Sequence, residues 1–315
     1  MTGFDVMLSA ALAGDRRALA KVITVVERGN EDAREVLAAA YSQRTGAHII
    51  GVTGPPGAGK STLVNELIGS IRADEAEVAA LLIDPSSPFS GGAILGDRIR
   101  MQDRISDPGV YARSMASRGQ LGGISRAAPR AVVVLDAAGF PYVILETVGV
   151  GQAEVDIAEN ADTTVVVLNP GWGDSIQAAK AGLLEIGDVF VVNKADRPGV
   201  EATVADLNHM LHEGAERAWP PPVVTTIAHD GTGVAELWKI IQDHQAHLAD
   251  LDGEAVTRRA ARDVHGALSE LVAERATSHI EDTAMAAAVA EVAARRVDPW
   301  TAAQQLLDRS PAATG

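Results

Sequence analysis

Apolar residues recur at helical spacing near both ends of the chain, whereas short β-branched runs alternate with longer helical patterns between them. In the N-terminal part, the apolar positions are Leu8, Leu12, Leu19, Val22, Ile23, Val26, Val36 and Leu37. Gly14-Asp15 and Gly29-Asn30 interrupt this pattern. We therefore expect two or three helices in residues 1–45.

The chain beyond residue 249 is also predicted to be helical. Apolar residues at three- and four-residue steps lie opposite a charged face, which is typical of an amphipathic helix. The apolar positions are Val256, Ala260, Val264, Ala267, Leu268, Leu271 and Val272. A second helix is expected over Met285–Arg296, and a short third one after Pro299.

Between these segments, several apolar runs have the length and β-branched composition of buried strands. They are His48–Thr53, Val78–Ile83, Tyr142–Leu145, Thr163–Leu168, Val189–Val192 and Val223–Ile227, with Val110–Arg113 as a weaker candidate. Near-continuous apolar strands that alternate with helices predict an α/β fold with a doubly wound, mostly parallel sheet. The predicted division is an N-terminal helical arm (1–45), an α/β domain (46–248) and a C-terminal helical arm (249–315).

Composition excludes several classes of protein. The 315 residues carry a formal net charge of -15 and include no cysteine. The negative charge argues against a general nucleic-acid binder, which needs Lys and Arg to neutralise phosphates. The lack of cysteine excludes disulfides and thiolate metal sites. The first residues do not resemble a signal peptide, and no apolar run reaches the roughly 18 residues of a membrane span, so we expect a cytoplasmic protein.

A phosphate-binding loop is indicated by Gly54-Pro-Pro-Gly-Ala-Gly-Lys60-Ser61, which fits the pattern G-x-x-x-x-G-K-[ST]. It follows a predicted strand and precedes a predicted helix, as this motif requires. Lys60 would reach the β and γ oxygens of a nucleotide, and Ser61 would bind Mg²⁺. The residues predicted to contact the nucleotide here are Gly54, Pro55, Pro56, Gly57, Ala58, Gly59, Lys60, Ser61 and Thr62.

Guanine selection is predicted at Asn193-Lys194-Ala195-Asp196, directly after the strand Val189–Val192. The Asp196 carboxylate would accept hydrogen bonds from the ring N–H and the amino group of guanine. Adenine offers no matching pair of donors, so ATP would leave a buried carboxylate unpaired. In this order after a phosphate-binding loop, the motif predicts a P-loop NTPase that binds and hydrolyses GTP.

An acid and a glycine follow the strand Tyr142–Leu145. Glu146 stands where P-loop proteins carry the acid that holds a Mg²⁺-bound water, and Gly149 where a backbone N–H contacts the γ-phosphate. The expected cofactors are therefore GTP or GDP and Mg²⁺.

These motifs and the segments between them closely resemble the MeaB/ArgK group of bacterial P-loop GTPases over nearly the whole chain. The most specific stretch is Asp84-Pro-Ser-Ser-Pro-Phe-Ser-Gly-Gly-Ala-Ile-Leu-Gly-Asp97-Arg-Ile-Arg-Met101, which is similar to the group's switch I segment. Ser114–Gly119, Glu146–Gln152 and Gly173–Gly182 are also similar to segments of the group. Proteins of this group are chaperones of adenosylcobalamin-dependent acyl-CoA mutases, above all methylmalonyl-CoA mutase.

The resemblance implies further roles for individual residues. Asp84 and Asp97 would lie near Mg²⁺ and the γ-phosphate, although each could instead be a turn or helix-capping acid. Asp174, Gln177 and Lys180 would belong to an additional loop that communicates with the mutase. The C-terminal helices would form the dimerisation arm of a homodimer.

One segment departs from the usual GTPase pattern. GTPases commonly have Ser-Ala after the strand that corresponds to Val223–Ile227, and a backbone N–H there contacts the guanine oxygen. This chain has Thr226-Ile227-Ala228-His229 there, and Ile227, Ala228 and His229 are predicted to lie at the base. We expect Ala228 to donate its N–H without the support of a serine hydroxyl.

The sequence offers no evident residue for fast hydrolysis. Val150 stands where a water-orienting glutamine is often found, Gln152 is close to that position, and no arginine finger is apparent. We therefore expect hydrolysis that is slow alone and accelerated by a partner.

Two other functions stay open. A nucleotide-dependent kinase or ATPase coupled to amino-acid transport would also use a P-loop, but the guanine motif argues against ATP. A metallochaperone GTPase could use His209 and His212, or His244 and His247, which have the i,i+3 spacing of a helical metal site. We expect these histidines to face solvent and to lack a third ligand.

Overall fold

The computed structural model describes residues 3–84, 104, 106–116, 127–147, 153–171, 182–214, 217–251, 253–278 and 280–308. The chain divides into two compact units, Met1–Leu251 and Asp252–Gly315. Within the described ranges, no helix is both long and apolar enough to cross a membrane.

A parallel sheet of seven described strands forms the centre of the first unit. The strands are β1 (His48–Thr53), β2 (Val78–Asp84), β3 (Val110–Ala116), β4 (Tyr142–Thr147), β5 (Thr163–Leu168), β6 (Val189–Asn193) and β7 (Val223–Thr226). Their order across the sheet is β3-β2-β4-β1-β5-β6-β7, and every neighbouring pair is parallel. From the central β1 the chain first builds one half of the sheet and then, after β4, the other half. The predicted doubly wound α/β fold is confirmed.

Helices precede the sheet, connect its strands and make up the second unit. Those of the first unit are α1 (Gly3–Leu12), α2 (Arg16–Arg28), α3 (Glu31–Tyr41), α4 (Lys60–Ala73), α5 (Ala127–Ala137), α6 (Ala153–Asn160), α7 (Val200–Glu213) and α8 (Val234–Ala249). Those of the second unit are α9 (Glu254–Ser278), α10 (Asp282–Ala293) and α11 (Pro299–Asp308).

Both faces of the sheet are covered, which explains why its strands are almost uniformly apolar. Ile49 of β1 packs in the cluster formed with α2, α3 and α5, and Ile50 packs in the cluster formed with α4 and α8. Successive side chains of a strand point to opposite faces, so each strand contributes to both clusters.

The strand boundaries differ from the predicted ones mainly at the carboxyl ends. Strand β4 continues to Thr147 and β6 to Asn193, so Glu146 and Asn193 lie within strands rather than after them. The backbone hydrogen bonding of the sheet continues through Glu146, which lies opposite both Val52 and Leu82. This pairing fixes the backbone of the predicted metal-site acid.

The N-terminal helices are fastened to the sheet by an arginine on β3. Arg113 pairs with Glu27 of α2 at 2.8 Å and donates to the carbonyl oxygen of Ala20 at 2.8 Å and to the hydroxyl of Thr24 at 3.0 Å. Three groups on one helix therefore satisfy a single guanidinium.

A buried carboxylate holds the connection between α3 and β1. Asp136, on α5, accepts hydrogen bonds from Arg44 Nε at 2.6 Å and from the backbone N–H groups of Thr45, Gly46 and Ala47 at 2.8, 2.8 and 3.1 Å. Burial raises the pKa of Asp136, but the Arg44 guanidinium and the backbone donors outweigh burial and hold that pKa below its ordinary value. The start of β1, and hence the loop that follows it, depends on this charge.

The second unit consists of helices α9–α11, with Ala302 and Leu306 of α11 among its buried residues. Its longest helix, α9, carries several exposed apolar side chains, as an amphipathic helix with a free apolar face does. They are Val264, Leu268, Leu271 and Val272.

Replacing Asp136 with asparagine should lower the free energy of unfolding by about 3 kcal/mol at neutral pH, because Arg44 then faces a neutral amide. A carboxyl whose folded pKa is depressed stabilises above its unfolded pKa, and this stabilisation is lost as pH falls through the folded pKa. The difference between wild type and Asp136→Asn should therefore shrink in acid. Urea unfolding at several pH values measures both effects.

The matched control is Asp206→Asn, on the exposed face of α7. It should change the unfolding free energy by less than about 0.5 kcal/mol. Equal effects of the two substitutions would contradict the structural role of Asp136.

Candidate functional site

The loop between β1 and α4 passes closer to β5 and β6 than a side chain would allow. Gly54 and Gly59 have φ angles of 134° and 94°, a region that favours glycine. A Cβ on Gly54 would lie 2.1 Å from the carbonyl oxygen of Val167, and a Cβ on Gly59 would lie 2.4 Å from Nδ2 of Asn193. The glycines thus permit a compact loop at the N-terminus of α4, where a helix favours anions.

Lys60, the first residue of α4, is buried with only 6% of its surface exposed. Its Nζ donates to the carbonyl oxygens of Gly54 and Pro55 at 2.7 and 3.0 Å. The ammonium group therefore lies over the start of the loop, so an anion bound there would lie close to its charge.

Ser61 and Glu146 lie in direct contact. Ser61 Oγ donates to Glu146 Oε1 at 2.5 Å, although the two residues are 85 positions apart in the chain. Glu146 is brought there by the pairing of β4 with β1, and only 6% of its surface is exposed. A hydroxyl and a carboxylate side by side next to the loop are hard oxygen donors of the kind that Mg²⁺ prefers, so these residues fit that ion.

The side chain of Asn193 joins the phosphate-binding loop to the end of β7 and the loop that follows it. Its Nδ2 donates to the carbonyl oxygen of Ala58 at 2.8 Å. Its Oδ1 accepts from Thr226 Oγ1 at 3.1 Å and from the backbone N–H of Ala228 at 3.0 Å. Asn193 is 1% exposed, so these hydrogen bonds are shielded from water.

The neighbouring lysine also contacts the loop. Lys194 has a left-handed φ of 60°, and its Nζ donates to the carbonyl oxygen of Gly57 at 2.5 Å. Asp196 lies two residues further on and is exposed. The structure thus brings Asn193 and Lys194 to the phosphate-binding loop and leaves the Asp196 carboxylate accessible.

The hydrogen bond of Ala228 differs from the expectation for this residue. Its N–H donates to Asn193, whereas we expected it to be directed at a base. The hydrogen bonds from Thr226 and Ala228 to one carboxamide supply the support that a serine hydroxyl was expected to give. Ile227 pairs with Thr232 across the following turn, and His229 is exposed at that turn.

Two site residues were missed by the motif search. Thr226 lies inside a predicted strand, and Asn169 directly follows β5 with Nδ2 at 3.4 Å from the Gly57 carbonyl oxygen. A polar residue after the strand next to β1 could have indicated Asn169, because carboxyl ends of parallel strands share one edge. Nothing in the sequence distinguishes Thr226 from other strand threonines.

The expectation that the paired histidines face solvent is wrong for His244, which is 3% exposed. The hydroxyl of Thr163 lies 2.8 Å from both His48 Nε2 and His244 Nδ1. One hydroxyl hydrogen cannot serve both rings, so one ring donates and the other accepts. Burial, followed by the nearby His48 and His247, lowers the pKa of His244 to about 4.

This histidine cluster lies at the amino ends of β1 and β5, away from the phosphate-binding loop. Among the described residues, no group of three potential ligands of the His, Asp or Glu type is arranged to hold a metal ion. His209 is exposed and lies 3.4 Å from Glu213 on the same helix.

Several predicted residues fall outside the described ranges. They are Asp97, Gly149, Asp174, Gln177 and Lys180. Asp84 is the last residue of β2, and its side chain also lies outside what the structure describes.

Comparison with known proteins gives consistent matches along the chain. A family described as methylmalonyl-CoA mutase-associated GTPase MeaB matches residues 19–313. A protein of Pyrococcus abyssi (strain GE5 / Orsay) that bears a GTPase name is 44% identical over 310 residues, which is 96% of this chain and 95% of that protein. The mitochondrial methylmalonic aciduria type A homolog of Mus musculus is 33% identical over 277 residues, with 81% and 66% of the two chains covered.

A solved structure titled as a LAO/AO transport system kinase has a similar fold. It superposes with a TM-score of 0.67 and 25% identity, and the match covers 97% of this chain and 96% of that one. The likeness extends over the helices as well as the sheet.

Replacing Asn193 with alanine should weaken GDP binding by roughly 30- to 100-fold, because it leaves a buried hydroxyl and two buried backbone groups with fewer partners. Titration of the purified protein with a fluorescent GDP analogue measures the affinity. The same substitution at Asn208, exposed on α7, is the control and should leave the affinity unchanged. Equal affinities for the two variants would show that Asn193 does not shape the loop.

Proposed function

Because the chain belongs to the MeaB family of methylmalonyl-CoA mutase-associated GTPases, we propose that it is a GTP-dependent chaperone of an adenosylcobalamin-dependent acyl-CoA mutase, with methylmalonyl-CoA mutase as the client. The chain hydrolyses GTP to GDP and phosphate. The observation that supports the chaperone role is the extent of the family match, which includes the C-terminal helices as well as the nucleotide site. GTP binding and hydrolysis would gate cofactor loading and would protect or reactivate the mutase.

On the phosphate side, Lys60 would exchange the carbonyl oxygens of Gly54 and Pro55 for the β and γ oxygens of the nucleotide. Ser61 and Glu146 would hold Mg²⁺ together with Asp84 and Asp97. Bound Mg²⁺ would neutralise charge that develops on the phosphate oxygens. The contact between Ser61 and Glu146 supports this assignment because it places both donors at one point.

On the base side, Asp196 would accept from guanine and the Lys194 stem would lie along the loop. The N–H of Ala228 already serves Asn193, so we assign the backbone donor for the guanine oxygen to His229. Ile227 and Ala228 would then line the base without donating to it. Asn193 acts indirectly by holding this loop against the P-loop.

Signalling to the mutase would involve Gly149, as the γ-phosphate contact, and the loop that contains Asp174, Gln177 and Lys180. Their assignment rests on the sequence resemblance alone, whereas the cytoplasmic location is proposed from the hydropathy pattern of the sequence. A partner that completes this machinery would explain hydrolysis that is slow in the isolated protein.

A kinase coupled to transport is the second candidate, because the solved structure of similar fold carries that title. The guanine motif argues against it, since ATP could not satisfy Asp196. A metallochaperone function has less support, because the described histidines form no cluster of metal ligands and the sequence has no cysteine.

Adding adenosylcobalamin-loaded methylmalonyl-CoA mutase should raise the GTP hydrolysis rate severalfold, on the order of tenfold, by completing the catalytic machinery. Phosphate release is measured with and without the mutase, and with ATP in place of GTP.

Lys60→Ala is the blank and should show neither basal nor stimulated hydrolysis. Intact basal GTP hydrolysis without stimulation would reject this client. Faster turnover with ATP than with GTP would favour the kinase.

A homodimer through the C-terminal unit is proposed on the basis of the apolar face of α9. Val264, Leu268 and Val272 recur at four-residue steps and are 65%, 54% and 57% exposed. A second copy of the same helix would bury this face, as the family resemblance implies.

Leu268→Glu should convert the dimer to the monomer at micromolar concentration, because it places a charge in the buried face. Sedimentation equilibrium should give twice the chain mass of 32.8 kDa for the wild type and the chain mass for the variant. Ser269→Glu adds the same charge at the next, exposed position and should remain dimeric. A wild-type monomer would reject the proposal.

A further inference from the structure

The residues just before β3 are held on helix α4 by two ion pairs of opposite polarity. Glu66 of α4 pairs with Arg104 at 3.6 Å between oxygen and nitrogen, and Arg72 of α4 pairs with Asp107 at 2.9 Å. Each segment therefore supplies one acid and one arginine. We call these four side chains the α4 clasp.

Each arginine of the clasp lies against a glycine of the opposite segment. A Cβ on Gly69 of α4 would lie 2.4 Å from Nη2 of Arg104, and a Cβ on Gly109 would lie 2.2 Å from Cζ of Arg72. Neither guanidinium could take its place if the facing residue had a side chain. The clasp thus depends on shape as well as charge.

Local hydrogen bonds keep the acids of the clasp in place. Asp107 also accepts from the backbone N–H of Gly109 at 2.7 Å, and Glu66 accepts from Asn65 Nδ2 at 3.0 Å. Arg72 donates a second hydrogen bond to the carbonyl oxygen of Ala76 at 2.8 Å.

Part of the clasp lies on the same face of α4 as Ser61, the predicted Mg²⁺ ligand. Relative to Ser61, Gly69 and Arg72 lie within an arc of about 80° around the helix, whereas Glu66 lies about 140° away. The helix therefore joins the clasp rigidly to the phosphate end of the site. Strand β2, which ends at Asp84, is the other fixed point around residues 85–103.

We propose that the α4 clasp is a positioning device for GTP hydrolysis, which sets where the chain leaves the segment similar to switch I relative to Ser61. Its four side chains are not among the predicted nucleotide contacts, and they act by fixing the position of Arg104 and Asp107 on α4. The proposal concerns intrinsic hydrolysis and does not rest on the mutase being the client.

A role in stability alone is a weaker explanation for this arrangement. All four side chains are partly exposed, between 22% and 34%, and exposed ion pairs contribute little to stability. Two glycines within or beside regular elements also weaken those elements. The two ion pairs and their facing glycines are better explained by a need to place the residues before β3 at a fixed position on α4.

The decisive variant is Gly69→Ala, which removes no charge and no hydrogen-bonding group. The new methyl group displaces only the flexible end of Arg104, and alanine favours the helix. We expect the melting temperature to stay the same or rise, while kcat without any partner falls roughly three- to tenfold through misplacement of the segment. The KM for GTP should stay within about twofold, since the phosphate and guanine contacts are untouched.

Gly266→Ala is the matched control, because Gly266 is also inside a helix and a Cβ there meets nothing within 4 Å. It should leave kcat unchanged. Arg104→Ala should lower kcat as Gly69→Ala does, and Arg104→Lys should lower it less.

A double-mutant cycle shows whether the two positions act together. Gly69→Ala should have no further effect on kcat once Arg104 is alanine. An unchanged kcat for Gly69→Ala, an equal loss in the Arg104→Ala background, or a loss accompanied by a lower melting temperature and a raised KM would each overturn the proposal. Loss of stimulation by the mutase alone would reject the client and leave this result intact.

Discussion

The site depends on one buried carboxamide, the side chain of Asn193. It is the only polar group we identify within the described residues that contacts both the phosphate-binding loop and the loop after β7. Loop backbones have no ladder to hold them, so their positions are set by such side-chain contacts. Because Asn193 is inside β6, the rigidity of the parallel sheet is passed to both loops. Lys194 adds a second contact to the same loop from the neighbouring position.

The two edges of the sheet have different physical characters. At the carboxyl edge, Lys60, Ser61 and Glu146 lie close together beside the phosphate-binding loop. At the amino edge, His48, Thr163 and His244 form a closed hydrogen-bonded chain, and burial holds the pKa of His244 far below neutrality. That pKa keeps the His244 ring neutral at neutral pH, so His244 contributes to holding β5 without adding charge to the core. The contact of His48 with Thr163 thus fixes the start of the strand whose end leads into the phosphate-binding loop.

The α4 clasp fixes a segment outside the sheet, the residues just before β3, in a similar way. The phosphate-binding loop leads directly into helix α4, Glu146 of β4 contacts Ser61 in the first turn of α4, and the clasp joins α4 to the residues before β3. Helices transmit position well because their hydrogen bonds leave few soft degrees of freedom. Helix α4 therefore holds groups that are distant in sequence at fixed positions relative to one another. Asp107, for example, is 35 positions from its partner Arg72.

By itself, the sequence determined the fold class, the strand–loop–helix around Lys60 and the order of the nucleotide motifs, because these depend on short-range periodicity and spacing. Only the tertiary structure decided which groups meet. It placed Ser61 next to Glu146, paired the Ala228 N–H with Asn193 and buried His244, which we had expected to face solvent. These contacts join residues tens of positions apart, and their geometry is set by strand register and helix packing rather than by local pattern.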